Sequence, residues 1–595
     1  MTRPIRWTIL PLLLGACAPR TPPAAPTEVM AAASAPREET ASRVRALADE
    51  YVREHFVRNP TAATTAGWPE AEHGRLPDNS LEALRGWQER EDAWLTRVRA
   101  IDPTPLTGTP DYLTYAFLRE ALESRVGLRA CRGELWAVSP TYTGWQAGFA
   151  FLSSVQPVGT PELRQKALQR FGALPAFLDT EVANLREGLR LGYTAPKSGV
   201  RSVIEQMDAL LATPTADLPF YSPARRDSTP EFAKALERVA EAEIRPAIRR
   251  YRDFLANEYL PAARTDIAVA ANPGGDACYR AAVRFHTSLD VPAREIHQTG
   301  LGEMSKIQAE MKEIAQRSFG TGDVPALLER LKSDPQYTFR SRQEMIDYAQ
   351  AAVDRAKAAV PQWFGIVPKA PVVIQPYPPF QEKSAPGGQY SGAPDDGSRP
   401  AIYLINTYQP EKQSRAGLES TAFHETYPGH HLQIAIAKER TEAHPITRYF
   451  GTSGFSEGWG LYSERLADEM GLFSSDLDRM GLLSNEALRA ARLVVDAGMH
   501  QLGWSRQQAI DYLLAHTAES PARAAAEVDR YIAVPGQATA YMLGNLEIRR
   551  LREMAERAQG EAFDIRSFHD RVLEEGAVTL PVLREKIERW VAEEK

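Results

Sequence analysis

The 595-residue chain has no apolar run near the roughly 20 residues that a membrane-spanning helix needs. It has no surplus of positive charge either. Its 70 Lys and Arg stand against 77 Asp and Glu, a formal net charge of −7 with pI near 6.0, which excludes the electrostatic footprint of a general nucleic-acid binder. A fixed-period repeat of solenoid type is missing, and so is a phosphate-cradling glycine loop of P-loop type. Ser453 and Ser456 in GTSGFSEG lie near glycine but lack the spacing of a nucleophile elbow, which sets a serine hydrolase aside. What is present is ordinary for a globular protein: 43% hydrophobic and 25% charged residues exclude wholesale disorder and a fibrous chain. The length accommodates about two to four core-forming units.

The first residues read as a processing signal. Arg3 and Arg6 precede a short apolar stretch from Trp7 to Leu14, and Gly15-Ala16-Cys17 follows. A basic start, a short apolar run and small residues make a secretory signal peptide over residues 1–16. Leu14-Gly15-Ala16-Cys17 resembles the bacterial lipobox, in which the cysteine is lipidated and becomes the new N-terminus. Acyl chains on Cys17 would hold the chain at a membrane surface of the cell envelope without spanning it. Residues 17–40 are rich in Ala, Pro, Thr and Ser and carry few large apolar side chains, so they are expected to form a tether that buries no core. With Cys17 set aside, Cys131 and Cys278 remain. An export route permits a disulfide between them, but the expectation from sequence is two buried thiols.

From residue 41 to 595 the pattern is mostly helical. Apolar residues recur at helical spacing in Ser42–Arg58, Leu81–Ala100, Tyr112–Leu128, Thr160–Leu191 and Pro230–Tyr259, with Pro- and Gly-bearing stretches between them. The style returns in Ala293–Ser318, Gln343–Trp363, Asp476–Gly503 and Gly536–Gln559, and two lobes are expected at about 41–290 and 291–595. Pro368–Tyr408 breaks the pattern. Its PKAPVVIQPYPPF and APGGQYSG runs preclude helix, and AIYLINTY is β-branched and aromatic enough for a strand. The expected fold is therefore mainly α, a large multi-helix protein with a small β patch just before its most informative helix.

That helix carries the chemistry. Three of only 11 histidines, His424, His430 and His431, lie within eight positions, and His424-Glu425 opens the group. In zinc peptidases a His-Glu-x-x-His helix presents two imidazoles on one face with the Glu as general base. Zinc takes nitrogen or carboxylate ligands and keeps a position open for water, and a neighbouring carboxylate accepts that water's proton. Here the spacing differs, because Pro428 occupies the position four residues after His424. On a regular helix His430 points well off the face of His424, and His431 lies about 10.5 Å further along the axis. Pro428-Gly429 supplies a break: Pro removes a helix hydrogen bond and Gly permits unusual backbone angles. The helix is expected to open between Tyr427 and His430 and bring one of the two later histidines back to His424. Glu457, 27 residues after His430, is the candidate third ligand. Glu464 lies one heptad further on the same face and is a candidate to orient a ligand imidazole.

HETYPGHHLQ followed by SEGWGLYSE resembles the bacterial family catalogued as domain of unknown function 885, as do RAARLVVDAGMHQLG and RYIAVPGQATAYMLGNLEIRRLR further on. The likeness runs from about Ala46 to the C-terminus. It implies a mostly helical, exported and often lipidated protein of zinc-metallopeptidase type, related to the gluzincins, with its substrates largely undefined. Carried over by residue, it implies Zn2+ as cofactor, His424 as a ligand, Glu425 as the base and Glu457 as the gluzincin Glu. Gly429-His430 matches the Gly-His that ends the zinc motif of helical gluzincin carboxypeptidases, which favours His430 over His431 as second ligand. Where the family usually has Ala after Glu-Gly-Trp, this chain has Gly460, read as a small change without consequence for the ligands.

An oxyanion donor is also needed, and Tyr541 and His500 are candidates. Arg489, Arg492 and Arg530 are suited to a substrate carboxylate, although structural ion pairs are the favoured reading for each. Tyr390 in GGQYSG reads as a plain turn aromatic. The expected function is a zinc-dependent hydrolase that cleaves short peptides, anchored to the envelope and without a nucleic-acid partner. The alternatives are a non-catalytic metal- or peptide-binding lipoprotein and a zinc amidase or esterase. Nothing in the sequence sets an oligomeric state.

Overall fold

The structure, a computed structural model, describes residues 27–593 apart from residues 228, 378–381, 383–384, 394–399 and 441–442. The signal peptide expected over residues 1–16 and the lipidated Cys17 lie outside the described residues. Among the described residues no helix is long and apolar enough to cross a membrane.

The fold is mainly α with one three-stranded sheet. Helix α1 spans Thr27–Arg58, so the expected tether is helical from its middle onward. The alanines of this stretch are strong helix formers. Residues 36–39 are exposed, and from Ala41 onward Val44, Leu47, Tyr51 and Val52 pack against α2 (Leu81–Arg99) and α3 (Pro110–Leu128). The Tyr51 and Trp94 rings meet edge to face at 5.5 Å, a favoured aromatic geometry. A second apolar cluster fills the helices between Val138 and Ala263.

Cys131 and Cys278 form a disulfide, with Cα atoms 4.4 Å apart, which corrects the expectation of free thiols. Cys131 ends a short turn after α3, and Cys278 sits in α4 (Gly275–Thr287), which packs along both. The bond closes a 147-residue separation around the second cluster.

Two further clusters hold the central helices. Helices α5 (Ala293–Phe319) and α10 (Asp476–Gln501) pack along their lengths, and α10 is buried nearly all round from Met480 to His500, as expected of a helix inside a large core. The other cluster joins α6 (Arg342–Trp363), α7 (Leu418–Glu425), α8 (His430–Glu439), α9 (Ser453–Glu469) and α11 (Ala540–Gln559) to the sheet. Its Phe423, Phe455 and Trp459 are fully buried, each contributing about 1.5–3 kcal/mol by apolar burial.

The sheet has strand order β1-β3-β2, from β1 (Val372–Pro376), β2 (Gly388–Ser391) and β3 (Ala401–Ile405). β1 runs parallel to β3, pairing Ile374 with Tyr403, and β2 runs antiparallel, pairing Tyr390 with Tyr403. Pro376 falls on an edge strand, where its missing N–H costs no ladder bond. In β3 Ala401, Tyr403 and Ile405 alternate inward, and β2 lies against α7.

Candidate metal centre

The backbone leaves helical geometry over Thr426–Gly429, between α7 and α8. Thr426 has φ −118° and ψ −106°, and Gly429 has φ −82° and ψ −131°. The turn is closed by hydrogen bonds from Gly429 N to Phe423 O (3.0 Å) and from Leu432 N to Thr426 O (3.3 Å). Only glycine fits at 429, because a Cβ there would lie 2.0 Å from the His424 carbonyl oxygen and 2.4 Å from that of Phe423. Trp459 of α9 donates its indole N–H to Pro428 O at 3.0 Å and pins the turn to the neighbouring helix.

This turn brings the first residue of α8, His430, to the last turn of α7. The His424 and His430 rings stand 4.6 Å apart, centre to centre, at 85°. Glu457 of α9 completes the group: its Oε2 lies 3.6 Å from Nε2 of His424 and 3.6 Å from Nε2 of His430. One donor atom from each of the three residues falls within 4.8 Å of the others. Glu464, two turns beyond Glu457, takes His424 Nδ1 at 2.8 Å. Ser420 donates to its other oxygen, and Arg489 Nη2 lies 3.5 Å away. With Nδ1–H donated to a carboxylate, the His424 Nε2 lone pair faces Glu457 and His430, the arrangement that orients a metal-binding imidazole.

The charges within this group act strongly on one another. Burial alone would lower the His424 pKa, yet the carboxylates of Glu457, Glu464 and Glu425 push it up to about 10. Burial would raise the Glu457 carboxyl, but the two imidazoles hold it well below the usual carboxylate range.

Glu425, next to His424, is buried and faces the sheet. Its charge acts on the phenols of Tyr377 and Tyr403, whose pKa values burial has already raised. The Tyr403 hydroxyl is buried without a hydrogen-bond partner among the described residues. These tyrosines carry no motif, and the sequence reading did not single them out. A cavity of about 250 Å3 opens beside the same helix, lined in part by Gly417, Thr421, Asn406, Asn485 and Arg523. Thr421 precedes Glu425 by one helical turn on the same face.

The other candidates divide. His431 is fully buried and turned away, with Nδ1 3.2 Å from the Tyr390 hydroxyl and Nε2 within reach of Ala370 O (3.0 Å) and Tyr427 OH (3.1 Å). His430, not His431, therefore meets His424, and Tyr390 braces His431 rather than ending a plain turn. His500 does not serve as the donor considered for it: Val269 N–H donates to its Nδ1 at 3.1 Å, and Nε2 meets Tyr531 O at 3.0 Å. Both ring nitrogens are committed to backbone, and burial lowers its pKa to about 4.

Tyr541 of α11 is half-buried, and its hydroxyl has no hydrogen-bond partner among the described residues. Burial and then the charge of Glu457 raise its pKa, while Arg492, 4.4 Å over the ring, acts in the opposite sense. Arg492 and Arg530 each reach Glu527 at 2.9 Å.

Two glycine features fix the spacing. α9 and α11 cross where Gly458 meets Gly544: a Cβ on Gly458 would lie 2.6 Å from Gly544 Cα. Glu457 immediately precedes Gly458 on α9, and Tyr541 lies three residues before Gly544 on α11, so both flank the crossing. Gly460 packs against the candidate ligand: a Cβ there would lie 2.6 Å from His424 Cε1 and 2.8 Å from Nε2.

Solved structures that share the fold include two proteins matched over nearly their whole length. "The putative lipoprotein from Colwellia psychrerythraea" superposes with a TM-score of 0.85 at 25% identity, over 94% of this chain and 99% of that one. "A putative lipoprotein of unknown function from Shewanella oneidensis" gives 0.73 at 17% identity, over 91% and 98%, a likeness of fold alone. No curated protein matches the chain. The family described as "Bacterial protein of unknown function (DUF885)" matches residues 60–587, a span that contains the whole metal-centre candidate. The chain belongs to the DUF885 family.

Proposed function

We propose that the protein is a zinc-dependent peptidase held at the bacterial cell envelope by an N-terminal lipid. The observation that carries this reading is the convergence of two imidazole nitrogens and one carboxylate oxygen, with Glu425 adjacent. Zinc bonds of about 2.0–2.2 Å in a tetrahedral arrangement set ligand atoms roughly 3.3–3.5 Å apart. The 3.6 Å separations from Glu457 Oε2 fit that requirement. His424, His430 and Glu457 would hold the ion. A zinc ion there supplies Lewis acidity and brings the pKa of a water into the neutral range.

The chain's own groups account for the rest. Glu425 accepts the proton of the attacking water and returns it to the leaving amine. Glu464 keeps His424 in the tautomer that presents Nε2. Tyr541 donates its hydroxyl to the oxygen of the scissile carbonyl as charge develops on it. A phenol with a pKa of about 10 is protonated at neutral pH and so has a hydrogen to donate.

The anchoring reading rests on the Arg3-to-Cys17 pattern and on the description of the Colwellia relative as a lipoprotein. Cys17→Ser is expected to move the protein from the membrane to the soluble fraction, and sedimentation that persists through an alkaline wash counts against it. The decisive experiment for activity is digestion of a peptide library by zinc-loaded protein, read by product masses, with Glu425→Gln in parallel. Cleavage by the wild type alone, with equal zinc in both, supports the reading. A library left intact while simple esters or amides are cleaved favours a zinc amidase or esterase. Zinc binding with no turnover of any of these leaves a metal-binding lipoprotein.

A further inference from the structure

Beside the candidate metal centre lies a group of arginines with fewer acidic partners than they require. Arg489 and Arg492 are three residues apart on α10 and so share a face. Arg530 comes from the helix Pro521–Ala533. The charges of all three act on the Tyr541 phenol, and so does that of Glu457. Arg492 lies 4.4 Å over the Tyr541 ring, and Arg530 shares Glu527 with it.

Their own pairing is incomplete. Arg492 donates Nε to Tyr531 OH and Nη2 to Glu527, each at 2.9 Å, while its Nη1 is buried without a partner among the described residues. Arg489 donates Nη1 to Asn485 O at 3.1 Å, and its Nε is likewise buried and unpartnered. Arg530 uses Glu527 and Gln537. One carboxylate, Glu527, thus serves two arginines. The carboxylate nearest Arg489, Glu464, is already engaged by His424 and Ser420. Within 3.5 Å the three guanidinium groups find two carboxylates, Glu527 and Glu464, and Glu464 is shared with His424. A buried N–H left unpaired on a charged group costs a few kcal/mol. Arg492 is only 7% exposed, so water supplies little compensation.

Arg489 and Arg530 are partly open to solvent, with 13% and 16% of their side-chain surface exposed.

We infer that this arginine group receives the terminal carboxylate of a peptide, so that the site cuts next to a free C-terminus. The inference rests on the peptidase reading above and narrows its substrate class. A carboxylate offers two oxygens that accept charge-assisted N–H bonds, which suits guanidinium groups whose pairing within the protein is incomplete. Hydrolysis then adds water across a peptide bond near the chain end: hydroxyl to the acyl carbon, hydrogen to the amine. The departing fragment carries the bound carboxylate away with it. The arrangement also rejects internal stretches of long chains, which offer no charge to the arginines, a form of selection by an unmet buried partner.

The test compares one N-acylated tripeptide as free acid and as C-terminal amide. Binding of both to full-length Glu425→Gln protein is measured by calorimetry, with and without zinc, and cleavage of both by zinc-loaded wild type is followed by product mass. The acid should bind about tenfold or more tightly than the amide, the scale of one charged hydrogen-bonding pair, and should be cleaved correspondingly faster. Arg492→Gln and Arg530→Gln, checked for folding by thermal denaturation, should each erase most of the difference. The acid–amide pair on unaltered arginines decides the matter even if either variant fails to fold. Equal binding and equal cleavage of acid and amide overturn the inference and leave the peptidase reading standing. Preferential binding of the acid with no cleavage of either peptide sustains the carboxylate site and defeats the peptidase reading.

Discussion

Replacing Gly429 with alanine tests how the metal centre is assembled. The added methyl would start 2.0 Å from the His424 carbonyl oxygen and 2.4 Å from that of Phe423. Non-bonded heavy atoms rest near 3.5 Å, so the turn must open by about 1.5 Å at the tighter contact. Both oxygens belong to the last turn of α7, and Phe423 O also accepts the Gly429 N–H at 3.0 Å. That bond, worth about 1 kcal/mol, is lost as the turn opens. His430 is the next residue and moves with the turn, whereas metal coordination tolerates errors of only about 0.2 Å. The expected result is a loss of at least about 100-fold in zinc affinity, or ~3 kcal/mol. It is measured by competition with a chromophoric chelator, with helicity monitored by circular dichroism. Gly302 is the control, since it lies mid-helix in α5 with nothing within 4 Å of an added Cβ. Gly302→Ala should bind zinc normally and stabilise the protein by ~0.5–1 kcal/mol. A Gly429→Ala protein that folds and binds zinc within about threefold of wild type, well under 1 kcal/mol, would refute the reasoning.

Gly460→Ala should weaken zinc binding by about 10- to 100-fold, the range seen when support of a ligand is disturbed, because its methyl displaces the His424 ring; the same competition assay reads it. Replacing Cys131 and Cys278 with alanine should lower stability by about 2–5 kcal/mol, read from urea midpoints, with the upper end set by the 147-residue separation. Asp496 is fully buried, and desolvation lifts its pKa to about 7 against the bonds it accepts from Tyr279 OH (2.7 Å) and Gly536 N–H (3.1 Å). Its unfolded value is about 3.9, so between those pH values the folded state holds a proton that the unfolded state has released. Stability should therefore fall as pH climbs from about 4 to about 7, by up to ~4 kcal/mol. Asp496→Asn, which can still accept both bonds, should flatten that slope in urea unfolding at pH 5 and pH 8.

The helical body was legible because its apolar residues repeat at helical spacing, and the sheet region because proline and glycine interrupt that spacing. Of the strands only β3 announced itself, through the β-branched and aromatic run AIYLINTY. β1 hides among prolines in PKAPVVIQPYPPF, and β2 among the glycines of APGGQYSG. Their strand character comes from pairing with β3 rather than from composition. The break at Pro428-Gly429 and the Glu457–Glu464 face follow from helix geometry, which is local. What was not legible depended on contacts far apart in sequence. The Cys131–Cys278 bond needs α4 laid against the end of α3. The backbone partners of His500 come from Val269 and Tyr531. Gly460 looked interchangeable with Ala because its neighbour, the His424 ring, arrives from another helix.

The crossing of α9 and α11 at Gly458 and Gly544 makes the span from Glu457 to Tyr541 a matter of main chain against main chain. Elsewhere in the core a substituted side chain can rotate or its helix can slide, and neighbouring parts absorb the change. At this crossing there is no side chain to yield, and the two backbones already touch. The spacing of these two helices at Glu457 and Tyr541 is thus a fixed gauge. Drift in the surrounding core can alter the width and lining of the neighbouring surfaces while this spacing stays the same.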